Sequence, residues 1–335
     1  MAGEQRIVLR GEYDPIVAFP EEVKLCVVYL GVRRGAGSQT TWFGGTAFFV
    51  AVPIDGTEQS AVYLTTAAHA IHGIKKLSAD GLVWIRVNTR SGTAEERSVP
   101  IDKWQFHPSD AAIDVAATAW EPDPTVVEYR AIAAGAFAQD HESDTGDEVF
   151  ITGMFIEHKG NRKNLPIVRA GHVALVAQEK IRSKMGEMVV HLIESRSTGG
   201  LSGSPVFVLR TGFTTRREMD AGVLYPLRGA MLLLGLIHGH WDDEIAKASK
   251  IEKINVGIAM VVPSSIILEV LNQECFVNDR KKQGADKKQA KSLPTMDFAT
   301  EPTRGPKPKR LKLDGPFEDR IRESFKAKPP ESPKR

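Results

Sequence analysis

Short apolar segments rich in β-branched and aromatic residues, cut apart by glycine, proline and polar turns, fill residues 1–275. That pattern constrains the fold most, because strands this short find their partners in neighbouring strands and leave little room for crossover helices. Val23–Leu30, Gly45–Val52 (stopped by Pro53), Ala61–Thr66 and Leu82–Val87 form a first series. Gly146–Thr152, Ile167–Ala170, Met188–Ile193, Pro205–Leu209 and Met231–Ile237 form a second. The seam is Glu121-Pro122-Asp123-Pro124 and the stretch after it. The two series predict an all-β fold of two antiparallel six-stranded barrels, about 20–125 and about 140–275, rather than a βαβ sheet. Only Pro263–Asn272 has the spacing of a capped amphipathic helix, with Ser264 or Ser265 as N-cap. Residues 1–19 read as an N-terminal extension.

Composition narrows the class. A chain 42% hydrophobic and 26% charged is an ordinary globular one. No apolar run approaches the roughly 20 residues of a membrane helix, so no membrane partner is expected. The opening Met1–Arg6 lacks a basic-then-apolar secretory pattern. Cys26 and Cys275 are the two cysteines, best read as idle thiols, which suits a reducing compartment. A cytoplasmic location is expected. Residues 276–335 hold 17 Lys/Arg against 9 Asp/Glu, a balance of about +8 that leaves about −6 on residues 1–275. This Lys/Pro-rich tail is expected to be disordered, since it cannot bury enough surface to offset its ordering entropy.

Three segments carry chemistry. In Leu64-Thr65-Thr66-Ala67-Ala68-His69-Ala70 an apolar strand delivers a histidine between small residues. In Ile113-Asp114-Val115-Ala116-Ala117 an aspartate interrupts an apolar run, and a buried carboxylate calls for donors such as an imidazole N–H. In Thr198-Gly199-Gly200-Leu201-Ser202-Gly203-Ser204-Pro205 glycines bracket a serine just before a strand. Attack on a carbonyl needs a nucleophile on such a turn, with N–H groups aimed at the developing oxyanion. Taken singly, each has a plainer reading: a core histidine, a turn aspartate, a Gly/Ser turn.

The order His, Asp, Ser, at separations of 45 and 88 positions, changes the weight. Thr66-Ala67-Ala68-His69, Asp114-Val115-Ala116 and Gly200-Leu201-Ser202-Gly203-Ser204-Pro205 together resemble the three motifs of trypsin-like (chymotrypsin-fold) serine peptidases, over residues about 20–275. The serine motif is most similar to that of the bacterial glutamyl-endopeptidase-like and intracellular branch. The resemblance implies a serine endopeptidase acting on a protein or peptide through an acyl-enzyme. Ser202 would be the nucleophile, His69 the base and Asp114 its orienter, with Gly200 and Ser202 N–H as oxyanion hole. It implies neither metal nor organic cofactor.

Departures from the family pattern concern activation and specificity. Leu201 stands where digestive members carry an aspartate that binds a freshly cut N-terminus, so that activation route is not expected. Arg196 stands where trypsins hold an aspartate for basic P1 side chains. On the pocket strand Leu234–Trp241, His238 and His240 lie near the place of the histidine that glutamyl endopeptidases turn to an acidic P1 group, one residue offset. Arg196 with His238 or His240 would then form a pocket for acidic or polar P1 side chains. The plainer reading packs His238 against Asp114 and turns Arg196 to solvent. Two other classes remain in view: a catalytically silent peptidase-like scaffold, and a protein anchored to nucleic acid by its basic tail, with Pro308–Lys312 as the core. Nothing in the sequence speaks to oligomeric state.

Overall fold

The computed structural model describes residues 20–35, 37–139, 142–183, 186–195, 199–209, 212–215, 224–227, 231–247, 250–286 and 295–296. The N-terminal half holds β1 (Val27–Arg33), β2 (Thr41–Pro53), β3 (Ser60–Thr66), α1 (Ala68–Leu77), β4 (Leu82–Asn88), β5 (Ala94–Pro100), β6 (Gln105–Phe106), β7 (Ala116–Ala119) and β8 (Ala131–Ala133). The C-terminal half holds β9 (Glu148–Gly153), β10 (Ile167–Leu175), β11 (Lys180–Ser183), β12 (Gly186–Val189), β13 (His191–Glu194), β14 (Pro205–Leu209), β15 (Gly212–Thr215), β16 (Leu224–Leu227), β17 (Met231–Lys247) and β18 (Lys250–Pro263). Then come α2 (Ser264–Leu271), α3 (Glu274–Asp286) and the short β19 (Thr295–Met296), which lies parallel to β8.

Pairing closes one barrel, the second: β10-β13-β18-β17-β14-β9. The expected closed six-stranded barrel in the first half is not among the pairings of the described residues. There β5-β4-β1-β2-β3-β7-β6 form an open path, with β8 added alongside β2. Its end strands explain the opening. β5 is charged at Glu95, Glu96 and Arg97 and stops at Pro100, as sheet edges commonly do, and β6 is only Gln105–Phe106.

Strand alternation builds three cores. On β2, Phe48 and Val50 face one way and Ala47, Phe49 and Ala51 the other, and all are buried. Phe49, Leu30, Leu64 and Ile85 fill the first half. Val149, Ile151, Val206, Val208 and Ile237 fill the barrel. Phe48, Val50 and Tyr63 meet Phe207, Leu236 and Val262 in a third cluster that joins the halves. Burial on both faces is why Ala47–Val52 reads as an unbroken apolar run.

Three further expectations are corrected. Val23–Cys26, read as strand, belongs to a 3₁₀ turn over Glu21–Cys26. On α2 the Ser264 hydroxyl does not cap the helix but donates to the Ala138 carbonyl (2.9 Å). The boundary expected at 275 falls inside α3, which packs Phe276 edge-on to Tyr63 and buries Arg280. Arg280 donates to Tyr63 Oη (3.0 Å) and the Leu271 carbonyl (2.7 Å). Cys26 is buried, Cys275 exposed, and both are free thiols. Among the described residues no helix is long and apolar enough to cross a membrane. The basic run Pro308–Lys312 lies outside the described residues.

Candidate active site

Register brings two distant segments together. β3 and β7 run antiparallel with Thr66 opposite Ala116 and Thr65 opposite Ala117. Asp114, two positions before Ala116, and His69, three after Thr66, therefore leave the same end of the sheet. His69 sits in the first turn of α1, whose N-cap residue, Ala67, offers no capping side chain. The first N–H groups of a helix need acceptors. Asp114 Oδ1 takes the His69 N–H (2.7 Å), and Oδ2 faces His69 Nδ1 (2.7 Å). An ionised carboxylate only accepts, so Nδ1 carries the proton and Nε2 is left as the basic nitrogen.

A third donor reaches the same carboxylate. His238 on β17 points Nδ1 at Asp114 Oδ2 at 2.5 Å, its ring edge-on to that of His69. Burial by itself would raise the Asp114 carboxyl. The hydrogen bonds from His238 and His69 overcome it and hold the carboxyl well below the usual range. His238, expected as a pocket residue, is thus 2% exposed and turned to Asp114; the plainer of its two readings is the one observed. His240 is half-buried, and Arg196 lies outside the described residues.

His69, Asp114 and His238 are also the group of metal-ligating types that the described residues bring together. Zinc bonds of about 2.0–2.1 Å at tetrahedral angles hold ligand atoms about 3.3 Å apart. The nitrogens here lie at 2.7 and 2.5 Å from one oxygen, spacings that suit shared protons.

Ser202 lies on the turn that enters β14. Gly200 has φ +93° and Gly203 φ +80°, left-handed conformations that favour glycine. A side chain at Gly203 would collide with Thr66 Oγ1 and the Thr46 carbonyl, so the turn is pressed onto the segment leading to His69. Gly203 N–H donates to Ile237 O (2.8 Å) and Ile237 N–H to Ser204 O (2.9 Å), which fixes the turn beside β17. Among the described residues, the N–H groups of Gly200 and Ser202 donate to no protein acceptor, and no hydrogen bond joins Ser202 Oγ to His69. Apo sites often hold such a catalytic bond long and tighten it on substrate.

Sequence reasoning missed Thr46. Fully buried on β2, its Oγ1 donates to Gly200 O (2.7 Å) and accepts Met154 N–H (2.9 Å). Its backbone N–H donates to Ser202 O (3.1 Å) and its carbonyl accepts Thr66 Oγ1 (2.7 Å). One residue thereby links the serine turn, the segment just after β9 and the strand before His69. The only sequence signal was a small polar residue after Gly44-Gly45 inside an apolar strand.

No family model matches the chain, and no curated protein matches it. Solved structures it is similar to include the apo form of the MamO protease domain from Magnetospirillum magneticum, at 17% identity over 74% of this chain and 96% of that one, with a TM-score of 0.41. Another is the inactive form of a serine-to-alanine mutant of Rv3671c from M. tuberculosis (15% identity, 77% and 96% covered, TM-score 0.39). A third is HBP (9%, 77% and 94%, TM-score 0.41). These neighbours are trypsin-like serine protease folds.

Proposed function

We propose that the protein is a serine endopeptidase. The observation that carries this reading is the doubly held His69–Asp114 couple beside a glycine-built turn that bears Ser202 and two unspent N–H groups. In the reaction Ser202 Oγ attacks the scissile carbonyl while His69 Nε2 takes its proton. The Gly200 and Ser202 N–H groups stabilise the oxyanion. His69 passes the proton to the leaving amine, and water then hydrolyses the acyl-Ser202 ester by the reverse use of the same base. Asp114 keeps Nδ1 protonated and stabilises the imidazolium. The finer reading, an acidic or polar P1 preference, rests on Arg196 and His240.

The test is labelling by a fluorophosphonate together with hydrolysis of a mixed fluorogenic peptide set. Both are expected in the wild type and lost in Ser202→Ala. A wild type that neither labels nor cleaves is a silent module.

A further inference from the structure

We propose that His238 is a positioning residue for this reaction, a second imidazole that fixes Asp114 for His69 and ties that pair to the nucleophile's turn. The inference rests on the peptidase reading above and adds to it a residue the three motifs do not contain.

Connectivity carries the argument. Ile237, the neighbour of His238, exchanges two backbone hydrogen bonds with the Ser202 turn, at 2.8 and 2.9 Å. The backbone of His238 is therefore set by the nucleophile's own turn, while its ring reaches Asp114 in the other half. From Ser202 through Ile237, His238 and Asp114 to His69, covalent and hydrogen bonds form one chain. It crosses the seam from the closed barrel to the open sheet. Such a chain transmits any slip between halves to the acid–base pair, where an error of about 1 Å costs about 10²-fold in rate.

Among the described residues the His238 side chain has no other hydrogen bond, and its buried Nε2 has no partner there. A proton on Nε2 would sit in that site without an acceptor, whereas a proton on Nδ1 meets Asp114 Oδ2. The carboxylate thus selects the tautomer of both rings. His69, one-third exposed at its side chain, is open to substrate; His238, buried, is not. One ring is placed to carry the proton in flight and the other to hold the acceptor still.

The experiment uses the full chain with His238→Phe, which keeps a ring but no donor, and His238→Asn, whose amide nitrogen stands near the place of Nδ1. Proton spectra of the wild type should contain two low-field imidazole N–H resonances. His69→Ala should remove one, His238→Phe the other, and Asp114→Ala both. In peptide hydrolysis His238→Phe should lower kcat about 10–100-fold with KM within about twofold, and His238→Asn should recover most of it. Equal melting temperatures for the two variants would keep folding out of the comparison. An unchanged kcat in His238→Phe, or equal loss in His238→Asn, overturns the proposal, as does a single low-field resonance in the wild type. If the wild type fails to label with fluorophosphonate yet shows both resonances, the peptidase reading falls and the shared carboxylate stands.

Discussion

Asp114 grips His69 at two points, ring and backbone, each at 2.7 Å. The carboxylate that orients the imidazole is also the missing cap of α1, so the geometry of the proposed catalytic pair and local stability hang on one side chain. A negative charge at a helix N-terminus is favourable in its own right.

Asp114→Asn should therefore lose both. Activity should fall about 10⁴-fold because the amide favours the wrong imidazole tautomer. The stability loss should depend on pH. The folded-state carboxyl is depressed below its unfolded value of about 3.9, so its contribution is complete above that value. It is lost as pH falls toward the folded-state value. Denaturant unfolding at neutral pH should separate wild type from Asp114→Asn, and the gap should narrow at about pH 3. A gap that widens in acid would contradict the assignment.

For the nucleophile, Ser202→Ala should cut kcat by about 10⁴–10⁶ with the fold intact. Ser204→Ala should be mild: among the described residues its buried hydroxyl has no hydrogen-bond partner whose bond removal would break. The same contrast should hold between His69→Ala and His72→Ala, since His72 stacks on Phe106 away from the carboxylate. Circular dichroism and peptide hydrolysis on the four variants check this. Reversed effects in either pair would move the site.

Thr46→Val keeps the shape and deletes the hydroxyl. Gly200 O and Met154 N–H would be left buried without their partner, at about 1–3 kcal/mol each. We expect a lower melting temperature and a kcat loss larger than any change in KM, because the Gly200 turn is displaced rather than the substrate contacts. A variant with wild-type kcat would show that the turn holds without Thr46.

The strand-rich class and the segments of β9, β10, β13, β14 and β17 could be read from the chain, because apolar alternation and glycine turns are local signals; β18, the barrel's sixth strand, could not. What could not be read depends on distant partners. α1 lacks a local cap, and its acceptor comes from Asp114, so nothing near Ala67 announces a helix. Thr46 looks like any small strand residue until the Gly200 turn folds against it. His238 sits on an apolar strand where two orientations differ only in which segment lies beside it. α3 hides Phe276 and Arg280 in a stretch whose charge resembles the tail that follows.

That last difference is measurable. A chain cut after Asn278 loses Arg280 and with it the donors to Tyr63 Oη and Leu271 O. It should melt several degrees below a chain cut after Asp286, with peptide hydrolysis at low temperature little changed, because α3 lies outside the catalytic cluster. Identical melting curves for the two cuts would mean that α3 adds nothing to the core.

Specificity is the remaining expectation, and the position of His238 sharpens it. With that ring committed to Asp114, the proposed P1 preference rests on Arg196 and His240. Neither offers a negative charge, so a Lys or Arg at P1 would be desolvated without a partner, which is strongly disfavoured. Glu, Asp or Gln would meet a donor instead. A P1-varied peptide library should show poor cutting after Lys and Arg, and Arg196→Ala should flatten the preference for acidic and polar residues while leaving fluorophosphonate labelling of Ser202 unchanged. Efficient cutting after Arg would overturn this expectation, and a flat or aliphatic profile in the wild type would mean that Arg196 faces solvent.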